Sequence, residues 1–311
     1  MPDNDGLLAS LRYLFADIIG DDEDGPPSLP DACPEHLGPA VSAAIDALID
    51  YQSTFYAQLY IDRLEPFVGR RTVDHALLCD IASLMAQRMA YEDAIRIAQL
   101  KLAEVRAAAG AFSSEVDTGS REKSASKPGY TLAARSADDV KTFRLDELID
   151  ALPALVADPL LGMLDWFGWR RRRVSIRFSA NNRFSIRRLR IEAGLKRWRL
   201  FSIRYAKERA WVERWLHMID RSLTKQPAAA AAIVQTATMI SGYGDPYRQG
   251  IADWHAIIDG LVKPTFDGAL ALPDLAAAIT EARAAAMPDP RQAALKRKIA
   301  EIRARVPAAG S

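Results

Sequence analysis

The sequence predicts an all-α protein, built as an antiparallel helical hairpin followed by a second helical region, with a place for a small β-hairpin near 173–187. Three observations carry this reading. Ala, Leu, Arg and Glu, all good helix formers, recur in long runs. Apolar residues in the first half repeat in steps of three and four, which lays them along one helix face. Strict apolar–polar alternation is confined to a short stretch beginning at Val174. With 311 residues, 49% hydrophobic and 26% charged, the chain is long enough for one large or two ordinary domains with real cores.

Taken in order, residues 1–36 read as an N-terminal helix, Leu7–Ile19, and an acidic, Pro-rich linker, GDDEDGPPSLPDACPEHLGP. Residues 37–112 form the expected hairpin. Its first helix runs from about Gly38 to Arg63, with Val41, Ile45, Leu48, Phe55 and Leu59 on one face, and Tyr51/Phe55 and Tyr56/Tyr60 as i,i+4 aromatic pairs. Pro66 stops it. The second runs from about Thr72 to Ala109, with Thr72 or Asp74 as N-cap. Positions 77, 81, 84, 88, 91, 95, 98, 102 and 105 form its stripe, apolar or aromatic except at Arg88. Residues 113–139, rich in Ser, Gly and Lys, are a linker. The second helical region, 140–311, begins near Val140 and contains the Arg-rich segment 169–214. Within it Val174, Ile176 and Phe178 alternate with polar residues, and the alternation resumes at Phe184 and Ile186 after Asn181-Asn182, as a hairpin would. A helical alternative stays open there.

Composition narrows the function classes. Cys33 and Cys79 alone offer no disulfide framework and suit a reducing, cytoplasmic setting. No secretory signal opens the chain. The longest uncharged run, Gln226–Gly244, carries Pro227, two glutamines, two threonines and two glycines, so it reads as a helix buried against protein and no transmembrane segment is expected. The four histidines (36, 75, 217, 255) stand in no HxH or HxxxH pair, and no metal site is expected. There is no GxxxxGK[ST] loop and no GxSxG elbow, and Gly242, Gly244 and Gly250 lack the spacing of a dinucleotide fingerprint. No catalytic residue is assigned.

The net charge of +1 conceals an asymmetry. Between Trp169 and Arg214 lie sixteen Arg or Lys and three acids, a local +13, so the remainder carries about −12. Arginines 170, 171, 172 and 173 form the expected basic docking patch. Together with Trp166, Trp169, Trp198, Trp211 and Trp215 this segment suits a nucleic-acid surface, an amphipathic element at an anionic membrane, or a docking face for acidic protein. A second cluster is RMAYEDAIRIAQLK, where Arg88, Glu92 and Arg96 stand at i, i+4, i+8 and form an ion ladder if the helix is unbroken. Its readings are a polar seam between packed helices or an anion- or partner-binding surface.

Several segments, in order, resemble a known family. DYQSTFYAQLYIDRLEPF (50–67) is followed by RMAYEDAIRIAQLK, then DELIDALPALV (146–156), LKRWRLFSIRYAKERAWVERWL (195–216) and SGYGDPYRQG (241–250). The set resembles the C-terminal region of the indolepyruvate oxidoreductase beta-subunit family, a region also found at the end of the long fused indolepyruvate ferredoxin oxidoreductases, over residues 40–260. The resemblance implies aromatic amino acid catabolism, with oxidative decarboxylation of aryl pyruvates by thiamine diphosphate, CoA and iron–sulfur clusters on partner chains. None of these cofactors is expected on this one, which lacks the preceding oxidoreductase domain, a GDG motif with its downstream Asn, and a cysteine cluster. The implied partners are a thiamine-dependent oxidoreductase subunit and a ferredoxin-type acceptor. Nucleic acid is the alternative through the Arg/Trp segment. Tyr91, Glu92, Asp93 and Arg96 form the first expected partner-facing set, and Gly242, Tyr243, Gly244, Asp245 and Arg248 the second. If the ladder is buried, Glu92→Ala destabilises the fold.

Overall fold

The computed structural model describes Pro27 and residues 37–116, 139–178, 183–286 and 288–305. The expected helix 7–19, most of the acidic linker and of the 113–139 linker, and the Asn181-Asn182 turn lie outside the described residues. The protein is mostly helical, and its described strands form a single two-stranded antiparallel sheet. The chain divides into two compact units. One combines the chain up to Tyr91 with the chain from Tyr205 onward, and the other is Glu92–Arg204.

The discontinuous unit opens with α1 (Gly38–Tyr51) and α2 (Thr54–Leu64), which pack on each other and on α3 (His75–Met89). One helix over 38–63 was expected. The chain breaks at Gln52, and Ser53 caps the new helix by accepting the Tyr56 amide (3.3 Å). The break changes the aromatic pairing, so that Tyr51 meets Tyr56 (centroids 5.9 Å) and Tyr91 (5.8 Å, edge-on). Asp74, one of the two expected caps, holds the start of α3 through the Leu77 amide (2.8 Å). The helix expected over 72–109 is also broken. It ends at Met89, and a new helix begins at Ala94.

After residue 204 this unit continues through most of α8 (Ile203–Lys225), the short α9 (Ala230–Val234), α10 (Gly244–Ile257), a single π-turn (Ile258–Val262), α11 (Lys263–Phe266), α12 (Leu275–Ala285) and α13 (Ala293–Ala304). Its centre is aromatic. Trp211 stacks on Trp215 (5.8 Å, 13°) and meets Trp254 edge-on (5.2 Å). The Trp215 indole donates to the Ile233 carbonyl and that of Trp254 to Thr236 Oγ1, so both polar tips are satisfied in the dry interior. The uncharged run 226–244 lies here with Ala230, Ile233, Val234 and Ala237 buried. Among the described residues no helix is long and apolar enough to cross a membrane.

The contiguous unit, 92–204, contains α4 (Ala94–Val116), β1 (Asp139–Arg144), α5 (Leu145–Asp150), α6 (Ala154–Trp166), β2 (Arg173–Phe178) and α7 (Arg183–Gly194), followed by a 3₁₀ stretch, Leu195–Phe201. The alternation at 174–178 is a strand, as expected, but its partner differs. β2 pairs with β1, Asp139 opposite Phe178 and Arg144 opposite Arg173, while 183–194 is helical. Phe143 and Phe178, both fully buried, meet edge-on beneath the sheet (6.4 Å). The helix expected from Val140 therefore starts only at Leu145. α7 packs on α4.

Helix α10 fits against residues 239–240 only because position 250 lacks a side chain. A Cβ on Gly250 would stand 2.2 Å from the Met239 carbonyl oxygen and 3.0 Å from Ile240 Cα. Both neighbours are backbone, so no rotamer change relieves the clash. Gly250→Ala is expected to cost about 1–3 kcal/mol, read as a fall in Tm of several degrees. An unchanged Tm would mean that the 239–241 segment shifts freely.

Candidate functional site

The cluster RMAYEDAIRIAQLK is not a ladder. With the helix interrupted at residues 90–93, Arg88, Glu92 and Arg96 do not share a face. Arg88 is 5% exposed and forms a buried ion pair: Nη2 donates to Glu208 Oε2 (2.7 Å), Nη1 to the Ile240 carbonyl (2.9 Å), and the guanidinium lies over Trp211 (5.2 Å). Tyr91 is a core residue of the discontinuous unit, while Glu92 is exposed. Asp93, the second residue of the other unit, does two things there. Its Oδ1 accepts the Arg96 amide at the start of α4 (2.6 Å), and its carboxylate receives Arg199, Nε on Oδ2 (2.8 Å) and Nη2 on Oδ1 (3.1 Å). Arg199 is 1% exposed. The three consecutive residues thus have three different jobs, and the boundary between the units falls after the first.

The segment 241–250 is brought together with a cavity. Gly242 (φ +66°) and Gly244 (φ +73°) both occupy the left-handed region, where a side chain is strained, and they turn the chain into α10. Tyr243 precedes the helix, Asp245 lies in its first turn, and Arg248 pairs with Asp245 at the surface (3.5 Å). Asp245, Gln249, Gly250 and Asp253 line one side of a cavity of about 810 Å³, with Thr238 and Met239 on a second side and Thr280 and Arg283 of α12 on a third. Asp253 is 5% exposed, and its Oδ1 takes two amide donors, Gln249 Nε2 and Gln292 Nε2, each at 2.8 Å. Gln292 sits at φ +55°, ψ +31°, a conformation costing a non-glycine residue about 1–3 kcal/mol. Across the cavity Arg283 donates Nη2 to Thr238 Oγ1 (2.9 Å), and its Nε is buried without a partner. Burial pushes its guanidinium below the usual value. The sequence reading picked Asp245 but missed Asp253 and Arg283. The signal available was the i, i+4 spacing of Gln249 and Asp253, on a helix that the sequence reading did not place.

The Arg/Trp segment separates into two kinds of residue. Trp211 and Trp215 are core, which corrects their assignment to a surface. Trp166 is 81% exposed, and Trp169 and Trp198 are exposed too. The large hydrophobic side chains found exposed among the described residues all belong to 92–204, with Phe167, Met163 and Phe201 among them. Trp166, Phe167 and Trp169 form a chain of rings (4.7 and 5.4 Å), and Arg172 lies over Trp169 (5.5 Å). Within the patch Arg170 pairs with Asp165 (2.6 Å), Arg171 is exposed beside a smaller cavity, and Arg173 lies opposite Arg144 in the sheet.

Among the described residues no three His, Cys, Asp or Glu are placed to hold a metal ion. His255 is the histidine whose environment is most defined. Arg214 donates Nη1 to its Nδ1 (2.9 Å) and also binds Asp259, so the ring must be neutral at Nδ1. Burial first, and then the Arg214 charge, hold its pKa below the usual 6.5.

Fold and site together define a two-unit helical protein whose motif residues brace its units and whose contiguous unit presents an aromatic, arginine-bearing surface. The chain belongs to the Family of unknown function (DUF6537), whose model matches residues 37–260. No curated protein and no solved structure gives a significant match. The matched span includes Tyr91–Asp93, arginines 170–173 and the 241–250 segment, and it ends before Arg283 and Gln292.

Two outcomes follow. Asp93→Ala removes the two hydrogen bonds that Arg199 donates to Asp93 and the cap on the Arg96 amide, and is expected to destabilise by about 2–4 kcal/mol, whereas Glu92→Ala stays within about 0.5 kcal/mol. Denaturant titration measures both, and equal effects would refute the division of labour. For His255, the unfolded chain binds a proton more readily than the fold does. Stability is full above about pH 6.5 and falls as pH drops through that value. His255→Gln should flatten this slope in melts between about pH 5 and 8, and an unaltered slope would assign it to other groups.

Proposed function

We propose that this chain is a non-catalytic helical module or subunit of a 2-oxoacid oxidoreductase system of the indolepyruvate type. In this reading it works in the cytoplasm, in aromatic amino acid catabolism, and aryl pyruvates are oxidised on partner chains that carry thiamine diphosphate, CoA and iron–sulfur clusters. The ordered resemblance of the segments between residues 50 and 250 supports the identity of the system. The observation that carries the module role is the surface of 92–204. Exposed Trp, Phe, Met and Arg are the residue types enriched at protein interfaces, and their exposure together on one unit calls for a covering partner. A thiamine-dependent subunit is the first partner in this scheme and a ferredoxin-type acceptor the second. The module's contribution is assembly, gating or electron-partner docking.

A second reading rests on Arg172 over the Trp169 ring and on the exposed Trp166 beside it. Bases stack on exposed rings, and arginines neutralise phosphates, so a nucleic acid or another anionic surface fits the same patch.

Native affinity purification with mass spectrometry separates the two. The wild type is expected to co-elute a thiamine-dependent oxidoreductase chain. The double variant Trp166→Ser, Trp169→Ser, changed at two exposed positions, is expected to lose that partner with Tm unchanged. If no such chain is recovered, and binding to nucleic acid or anionic vesicles weakens steeply with salt, the second reading takes its place.

A further inference from the structure

The cavity beside α10 holds two opposite charges that do not neutralise each other. Asp253 is almost completely buried, and both of its hydrogen bonds fall on Oδ1, from Gln249 and from Gln292. Among the described residues no donor reaches Oδ2, and the residue lines the cavity. Arg283 lines the same cavity and is held by one hydrogen bond, from Nη2 to Thr238 Oγ1. Among the described residues neither group forms an ion pair with the other or with any other side chain. A buried carboxylate and a half-buried guanidinium left apart in one space are costly arrangements unless something bridges them.

The carboxylate is held in place by construction. Gln292 adopts a left-handed backbone conformation to bring its amide to Oδ1, while Gln249 reaches the same atom from one turn earlier on α10. Strain kept at such a point is a mark of a functional site. Met239, Pro246, Ala284 and Pro288 supply apolar wall, and the volume of about 810 Å³ lies in the range of small-molecule pockets.

We infer that this cavity binds a small zwitterion, a free α-amino acid with a bulky apolar side chain, its ammonium on Asp253 Oδ2, its carboxylate on Arg283 and its side chain against Met239, Pro246 and Ala284. A 2-oxo acid brings the carboxylate but no donor for Asp253, which repels it. A simple amine brings the donor but leaves Arg283 unmatched. Both should therefore bind more weakly than the amino acid. Arg283 and Gln292 lie beyond the family's matched span, so the site is a property of this chain as a whole. The inference rests on the cavity alone and not on the oxidoreductase reading.

Isothermal titration of the purified full chain with L-phenylalanine, phenylpyruvate and phenethylamine is the test. Phenylalanine is expected to bind, with the other two at least about tenfold weaker, a difference of about 1.4 kcal/mol. Asp253→Asn and Arg283→Gln should each weaken phenylalanine by a similar factor. If Asp253→Asn fails to fold, the three-ligand comparison on the unaltered chain still decides. No heat from phenylalanine up to about 10 mM, or phenylpyruvate or phenethylamine binding as tightly as phenylalanine, overturns the inference. None of these outcomes depends on which chains co-purify.

Discussion

The discontinuous unit depends on one buried ion pair. Arg88 of α3 and Glu208 of α8 are 120 residues apart and almost fully withdrawn from water, with side-chain exposures of 6% and 3%. Neither charge is tolerable there alone. The guanidinium also ties down the Ile240 carbonyl and lies on Trp211, whose ring leads on to Trp215 and Trp254. One side chain thus joins the early helices, the long helix after residue 204 and the turn that introduces α10. The glycines at 242 and 244 and the close approach at Gly250 follow from where that carbonyl is held.

Fold class, the strand at 174–178, the Asp74 cap and the helical course of much of the chain were legible, because periodicity and capping are local. The breaks were not. Residues 90–93, Ala-Tyr-Glu-Asp, contain no Pro or Gly, and the apolar phase at 91 and 95 continues as if the helix were whole. What ends it is Asp93, which turns to cap α4 and to meet Arg199, 106 residues on. In the same way Val140 and Phe143 precede the amphipathic run LDELI and share its phase. Only pairing with β2, more than 30 residues away, makes them a strand.

For the sites, residue type was more legible than residue role. Gly242 and Gly244 were singled out as residues, and the structure gives them a conformational role, both at positive φ. Arg88 stood out as the lone polar member of an apolar stripe. That position alone implied a buried partner, yet nothing local pointed to Glu208. The tryptophans divide by unit rather than by composition: 211 and 215 build a core, while 166, 169 and 198 face solvent. Asp253 and Arg283 were invisible as a pair because 30 residues and a change of helix separate them.

The division at Tyr91 and Tyr205 has a consequence for the order in which the molecule is made. Residues 92–204 are contiguous, and their strand pairing and the Asp93–Arg199 pair join residues of this one stretch, so this part can fold once it has emerged from the ribosome. The other unit cannot. Arg88 must wait for Glu208 and for Ile240, 152 residues downstream, and Arg63 for Glu213. During synthesis the early helices are therefore complete in length but open where Arg88 will meet Trp211. That interval is when the chain is most exposed to aggregation, and an inserted unit that folds first shortens the effective distance its flanking halves must search.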